Sequence, residues 1–164
     1  MADFEIPKHG DICWRELRTK DLGAALDFYT KLFDWTLEQS KVAAGMDYKE
    51  IIVDGTATGG MMSMEGDDWG GLPSHWATYV AVDNADDTVA KITANGGSVQ
   101  VPPFDAPGVG RMSMVADPSG ANFAIIQFTE QMQDIGQRNK RKARNRISYF
   151  VPFVYFVANP IAFP

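Results

Sequence analysis

The chain has 164 residues, 45% of them hydrophobic and 22% charged, with a net charge of −6; this is the composition of an ordinary globular domain with enough apolar content to close a core. A single cysteine, Cys13, excludes an internal disulfide and a clustered thiolate metal site. Six basic residues and two acidic ones follow Phe128, so residues 1–128 carry −10, and an acidic body of this kind argues against nucleic acid as a partner.

The opening "MADFEIPKHGD" is polar, so no secretory leader is expected and the cytoplasm is the expected compartment. Ile12 to Arg18 predicts a first strand. Asp21 is a cap for a helix from Leu22 to about Phe33, where Leu22, Ala25, Leu26, Tyr29, Leu32 and Phe33 recur at helical spacing. Trp35 to Gln39 and Tyr48 to Val53 are strand candidates, Asp54-Gly55 is a turn, and Gly59 to Met64 returns as a fourth strand. A second series starts at Trp76 to Val82. Asp83 or Asn84 caps the next helix, with Ala85, Thr88, Val89 and Ile92 inward and Asn95-Gly96-Gly97 as its stop. Ser98 to Val101, Gly110 to Ala116 and Asn122 to Phe128 complete the strands. "PPFDAPGVG" (Pro102 to Gly110) reads as a loop, and Asp117-Pro118-Ser119-Gly120 as a strong turn.

The tail from 129 to 164 differs. A basic run, "RNKRKARNR", precedes the apolar "ISYFVPFVYFVANPIAFP", which Pro152 and Pro160 interrupt near spanning length. Three readings compete: an interfacial anchor that would favour anionic lipid, a docking segment, or read-through sequence. The last is preferred because nothing in the tail continues the pattern before it.

That pattern is an internal repeat. Trp14 to Gln39 lies on Ala77 to Pro102 at a spacing of 63 positions, and Val53 to Met64 lies on Ala116 to Gln127 at the same spacing, with Asp54 over Asp117. Both copies read strand, helix, three strands. The expected fold class is therefore α+β, with the site drawn from paired positions of the two copies.

The segments "DLGAALDFYTKLFDW", "HWATYVAVDNADDTVAKITANGGSV" and "PPFDAPGVGRMSMVADPSGANFAII" resemble the vicinal oxygen chelate superfamily, which includes glyoxalase I, extradiol dioxygenases and bleomycin-resistance proteins. The resemblance covers residues 10–128, as modules of about 10–66 and 74–128. It implies two paired βαβββ modules forming an open, curled mixed sheet around a cleft, and a homodimer. In its metal-dependent members the ligands come from the first and fourth strands of each module. The matching positions here are Trp14, Met61, Ala77 and Ala124, none of them a donor for a hard or borderline divalent ion. No cofactor is expected on this reading. The alternative is a divalent metal held by Glu16, Glu50 and His75.

Strand alternation gives the expected cleft-facing set: Trp14, Glu16 and Arg18; Tyr48, Glu50 and Ile52; Met61 and Ser63; Ala77, Tyr79 and Ala81; Arg111, Ser113 and Val115; Ala124 and Ile126. It describes an apolar cavity for a planar or hydrophobic small molecule, with Trp14, Tyr48, Met61, Ser63, Ala77, Tyr79 and Ala124 as ligand contacts. Glu16 as a base and Arg111 as an anion clamp are the catalytic candidates; the competing assignment makes them a structural ion pair. Glu16→Gln is expected to leave folding nearly intact. Met61, Met62 and Met64 offer a pliable surface for ligands or a partner subunit. Two histidines without a nucleophile elbow argue against a serine hydrolase, and "GGMMSMEGDDWGG" lacks the lysine of a phosphate loop. Two functions follow: a metal-free protein binding an aromatic or hydrophobic molecule, or a glyoxalase-type lyase or isomerase with non-standard ligands.

Overall fold

The computed structural model describes residues 7–40, 47–65, 69, 71–106 and 109–129. The expectations for the tail from 130 onward lie outside these residues. In chain order the elements are β1 (Ile12–Thr19), α1 (Leu22–Leu32), β2 (Thr36–Gln39), β3 (Tyr48–Val53), β4 (Thr56–Ser63), β5 (His75–Ala81), α2 (Ala85–Ala94), β6 (Ser98–Ala106), β7 (Gly110–Ala116) and β8 (Asn122–Phe128). The fold is α+β and the βαβββ order occurs twice. The described residues form two compact units, one of residues 14–77 and one of residues 7–13 with 78–129. Residues 10–13 go with the second unit because Gly10 N–H donates to the Ala81 carbonyl at 2.8 Å, Ala81 N–H to that of Asp11 at 2.9 Å, and Cys13 Sγ to that of Tyr79 at 3.5 Å.

In the first unit the strand order is β2-β3-β4-β1, with β1 parallel to β4 and the other pairs antiparallel. Asp21 caps α1 by accepting from Ala24 N–H at 2.8 Å. Leu22, Ala25, Leu26 and Tyr29 then pack on Leu17, Ile51 and Met61. The second unit repeats the plan in the order β5-β8-β7-β6, with β5 parallel to β8. Asn84 caps α2 by accepting from Asp87 N–H at 2.9 Å, and Gly96 follows its end at φ +84°. Ala85, Val89 and Ile92 cover Val115, Phe123 and Ile125. Among the described residues no helix is long and apolar enough to cross a membrane.

The expected loop from Pro102 is, up to Ala106, part of β6. Two prolines are tolerated there because β6 is the last strand in the order and its pairing with β7 shifts register between Val99 and Val101 and again before Phe104. At such bulged edge positions the ladder does not need the missing N–H groups.

Matching Asp54 to Asp117 also proves off by one. Helix positions do keep the spacing of 63, with Leu22 equivalent to Ala85, Leu26 to Val89 and Tyr29 to Ile92 on the two cores. In the later strands the spacing is 64: Ile51 corresponds to Val115 and Met61 to Ile125, all four facing a helix. The extra residue therefore lies between the helix and the strand that carries Ile51 or Val115, and the hairpins explain only why the aspartates mislead. Asp54 and Gly55, at φ 49° and 74°, make a two-residue turn between Val53 and Thr56, and β3 and β4 then pass through a bulge next to Ile51. In the second unit residues 117–121 all belong to the turn between Ala116 and Asn122. The two aspartates are first in turns of different length, so aligning them moves the strands by one residue, which exchanges their faces.

Asp117 Oδ1 accepts from Ser119 Oγ–H at 2.6 Å, Ser119 N–H at 2.8 Å and Ala121 N–H at 2.9 Å. The Ser119 bond, then that of Ala121, holds the carboxyl below its ordinary range. A carboxylate lowered by folding stabilises the native state at neutral pH and loses that contribution as pH falls through its folded value. Asp117→Asn should therefore lower the urea midpoint slightly at pH 7 and flatten its decline between about pH 5 and pH 2. An unchanged slope would show that the turn carboxylate is not linked to folding.

Candidate functional site

On β1, Trp14, Glu16 and Arg18 point away from α1, opposite to Leu17. Register places Glu16 beside Gly60 of β4, which faces Glu50 of β3, and places Arg18 beside Met62, which faces Tyr48. Trp14 Nε1–H donates to Tyr48 Oη at 2.9 Å, the Tyr48 hydroxyl donates to Glu16 Oε2 at 3.1 Å, and Arg18 Nε–H donates to Glu16 Oε1 at 2.8 Å. Trp14, Glu16, Arg18 and Tyr48 are each 2% exposed or less. Met62, Met64 and Trp69 pack with Tyr48 over this chain, and the Trp69 ring centre lies 5.9 Å from Arg18 Cζ. A charge withdrawn from water so fully is tolerable only when paired and hydrogen-bonded, and both carboxylate oxygens of Glu16 are engaged.

Gly60 is required by this arrangement. A Cβ there would overlap the Tyr48 phenol, hydroxyl and ring carbons alike. A glycine inside a strand pattern signals such a close approach, and this is the signal that pointed to the site and was not used. Arg18 shares this face with Glu16, as strand alternation implies, and Met62 and Trp69 cover it from outside the expected set.

The structure thus brings together Trp14, Glu16 and Tyr48, with Glu50 on the same face. In the second unit Tyr79 stands opposite Ala124, and Ala81 opposite Ile126, in the pairing of β5 with β8. Met112 and Met114 share that face through their pairing with Ile126 and Ala124. Ala77 is buried. The expected positions Met61, Ser63, Arg111, Ser113 and Val115 fall on the opposite faces, because cross-strand pairing sets the alternation of β4 and β7 one residue away from the expected phase. Met61 packs against α1, Ser63 follows it on the same side of β4, and Val115 packs against α2. Arg111 reaches Asp86 of α2 at 2.6 and 2.9 Å and Asp105 at 3.0 Å. Asp86 first, then Asp105, raises its pKa further above the ordinary value. Met61, Met62 and Met64, expected as a surface, are buried.

The corrected register also revises the metal positions to Trp14, Gly60, Ala77 and Ala124. None supplies a donor, and at Gly60 the side-chain space is taken by the Tyr48 phenol. His75 Nδ1 lies 2.8 Å from the Pro73 carbonyl. Among the described residues no group of three or more His, Cys, Asp or Glu could hold a metal ion. The side chains at these positions do not fit a divalent cation.

Burial of the Glu16–Arg18 pair points to a larger cost for Glu16→Gln than the mild one expected from the sequence. Neutralising Glu16 removes the buried carboxylate that accepts from Arg18 and Tyr48 and should cost about 3 kcal/mol in urea unfolding. Gly60→Ala should cost about 2 kcal/mol by displacing the phenol. A loss below about 0.5 kcal/mol in either variant would show that the site is relaxed rather than close-packed.

The pattern of the Glyoxalase/Bleomycin resistance protein/Dioxygenase superfamily matches residues 12–125. The chain is 38% identical over 126 residues to a Mycobacterium bovis protein named "Putative glyoxylase CFP32", covering 77% of this chain and 47% of that one. It is 33% identical over 127 residues to the anthracycline biosynthesis protein DnrV of Streptomyces peucetius, covering 71% of this chain and 46% of that one. The chain thus spans about half the length of the curated relatives it matches. Methylmalonyl-CoA epimerase from Mycobacterium tuberculosis shares the fold at a TM-score of 0.55 and 12% identity, over 80% of this chain and 96% of that one. With its βαβββ order repeated and the superfamily pattern running from β1 into β8, the chain belongs to the glyoxalase/bleomycin resistance/dioxygenase superfamily.

Proposed function

We propose that this chain is a small-molecule-binding member of the superfamily that works without a metal ion and takes an aromatic or hydrophobic ligand on the face carrying Trp14 and Tyr48. The observation that carries the reading is the hydrogen-bonded row of indole, phenol, carboxylate and guanidinium on a face whose expected metal positions hold no donor. The indole and the phenol are buried, so a ring system would reach them by displacing Met62 and Met64, whose flexible side chains pack on Tyr48 and could re-form around its outline. A phenolic or quinone oxygen would be read by exchanging one of the bonds of the Tyr48–Glu16–Arg18 row for a bond to the ligand. The name of DnrV adds support, since anthracyclines are fused aromatic rings bearing such oxygens. The name of the mycobacterial relative favours the second reading, a glyoxalase-type lyase or isomerase. A homodimer in the cytoplasm completes the proposal.

Two measurements on the full chain separate the readings. After incubation with Mn, Fe, Ni and Zn under reducing conditions and desalting, the protein should retain no stoichiometric metal by plasma mass spectrometry. Titration with 1,8-dihydroxyanthraquinone should quench tryptophan fluorescence saturably, and Tyr48→Phe should weaken that binding about tenfold by removing the hydroxyl that Trp14 donates to. Stoichiometric metal favours the lyase. Absence of saturable quenching, or quenching indifferent to Tyr48→Phe, removes the aromatic ligand from this face.

A further inference from the structure

The first unit leaves an aromatic surface open beside α1. Phe28 is 57% exposed, Leu32 56%, Phe33 45% and Trp76 42%. Exposed apolar residues scattered singly need no explanation, but these are contiguous. Phe28 meets Tyr29 edge-on at 5.2 Å between ring centres. Tyr29 stacks on Trp35 at 5.7 Å and meets Trp76 edge-on at 5.6 Å, and Phe33 lies 4.8 Å from Trp35. Trp76 Nε1–H donates to Tyr29 Oη at 3.1 Å, so the indole and phenol polar atoms bond to each other. Side chains of this size, about half exposed, present roughly 400 Å² of apolar surface. That is about half of what each partner contributes to a standard protein interface, and it is comparable to the largest apolar patch of a typical monomer, which is often functional.

We infer that this face of α1, with Trp76, is where a second copy of the chain docks. The charges beside it select that occupant. Asp27 and Lys31 lie one helical turn apart on α1, paired at 2.9 Å with both side chains about three-quarters exposed. When two copies of α1 meet antiparallel about a two-fold axis near residue 29, each Lys31 falls opposite the partner subunit's Asp27. The surface is then complementary to itself in charge as well as in polarity, as a two-fold interface requires. An anionic membrane is disfavoured, because residues 1–128 carry −10. The surface differs from the methionine segment expected from the sequence, whose side chains are in the core.

The test is sedimentation equilibrium of the full chain from micromolar to submillimolar concentration, with far-ultraviolet circular dichroism as a control for folding. The parent should dimerise, and Phe28→Ser with Leu32→Ser should raise the dimer dissociation constant at least about tenfold. Asp27→Lys, which sets lysine against lysine, should weaken the dimer severalfold, and Asp27→Lys with Lys31→Asp should restore it. If the serine variant fails to fold, the charge exchange decides alone. A monomer at every concentration, or a dimer indifferent to both the serine pair and the charge exchange, overturns the assignment.

Discussion

A carboxylate and a guanidinium two residues apart on β1 are taken out of water together, and the surrounding sheet face is organised by that requirement. Glu16 can be buried because Arg18 and Tyr48 engage its two oxygens, and Tyr48 can reach it because Gly60 has no side chain. Trp14 in turn donates to the Tyr48 hydroxyl. Each member fixes the next, so the row is stable only when complete. Half-satisfied, it would be worse than an apolar core.

This interdependence gives a physical account of a sheet face on which Trp14 and Gly60 carry no metal donor. The place on β4 where a side chain would project is filled from β3 by a phenol. The alternating pleat keeps that phenol, the carboxylate and the indole on one face, and α1 seals the opposite face with Leu22, Ala25 and Leu26. The second unit uses the same plan with apolar residues. Tyr79, Met112, Met114, Ala124 and Ile126 share one face, and Arg111 is held on the other by two aspartates. Ionic pairing is therefore buried on the face of the first unit that points away from α1 and half-exposed on the helix face of the second.

Function in this superfamily is carried by such faces rather than by the fold itself. On the function proposed above, residues that stabilise the row would also read a ligand's oxygens, which would couple stability and recognition on β1 and β3. The aromatic surface beside α1 lies apart from this coupling. Its rings pack on one another through Tyr29 and Trp35, and the outermost of them contribute little to the core of the unit.

Elements and fold class were legible because they depend on local signals. Asp21 and Asn84 cap helices, Asp54-Gly55 turns a hairpin, and helical spacing identified Leu22, Leu26, Val89 and Ile92 as core. Strand alternation also groups Trp14, Glu16 and Tyr48 on one face of the first unit, and Tyr79 with Ala124 on one face of the second, as the pairing has them. What the sequence could not settle was how residues on different strands line up. Two turns that begin with aspartate look equivalent in sequence, yet one spans two residues and the other five, and strand faces reverse with a slip of one. Only cross-strand pairing decided that Gly60 and Met62, rather than Met61 and Ser63, share a face with Glu16. Only the closeness of Tyr48 to Gly60 explained why glycine is there. Local chemistry is written along the chain; register is a property of partners distant in sequence, and the tertiary structure alone fixes it.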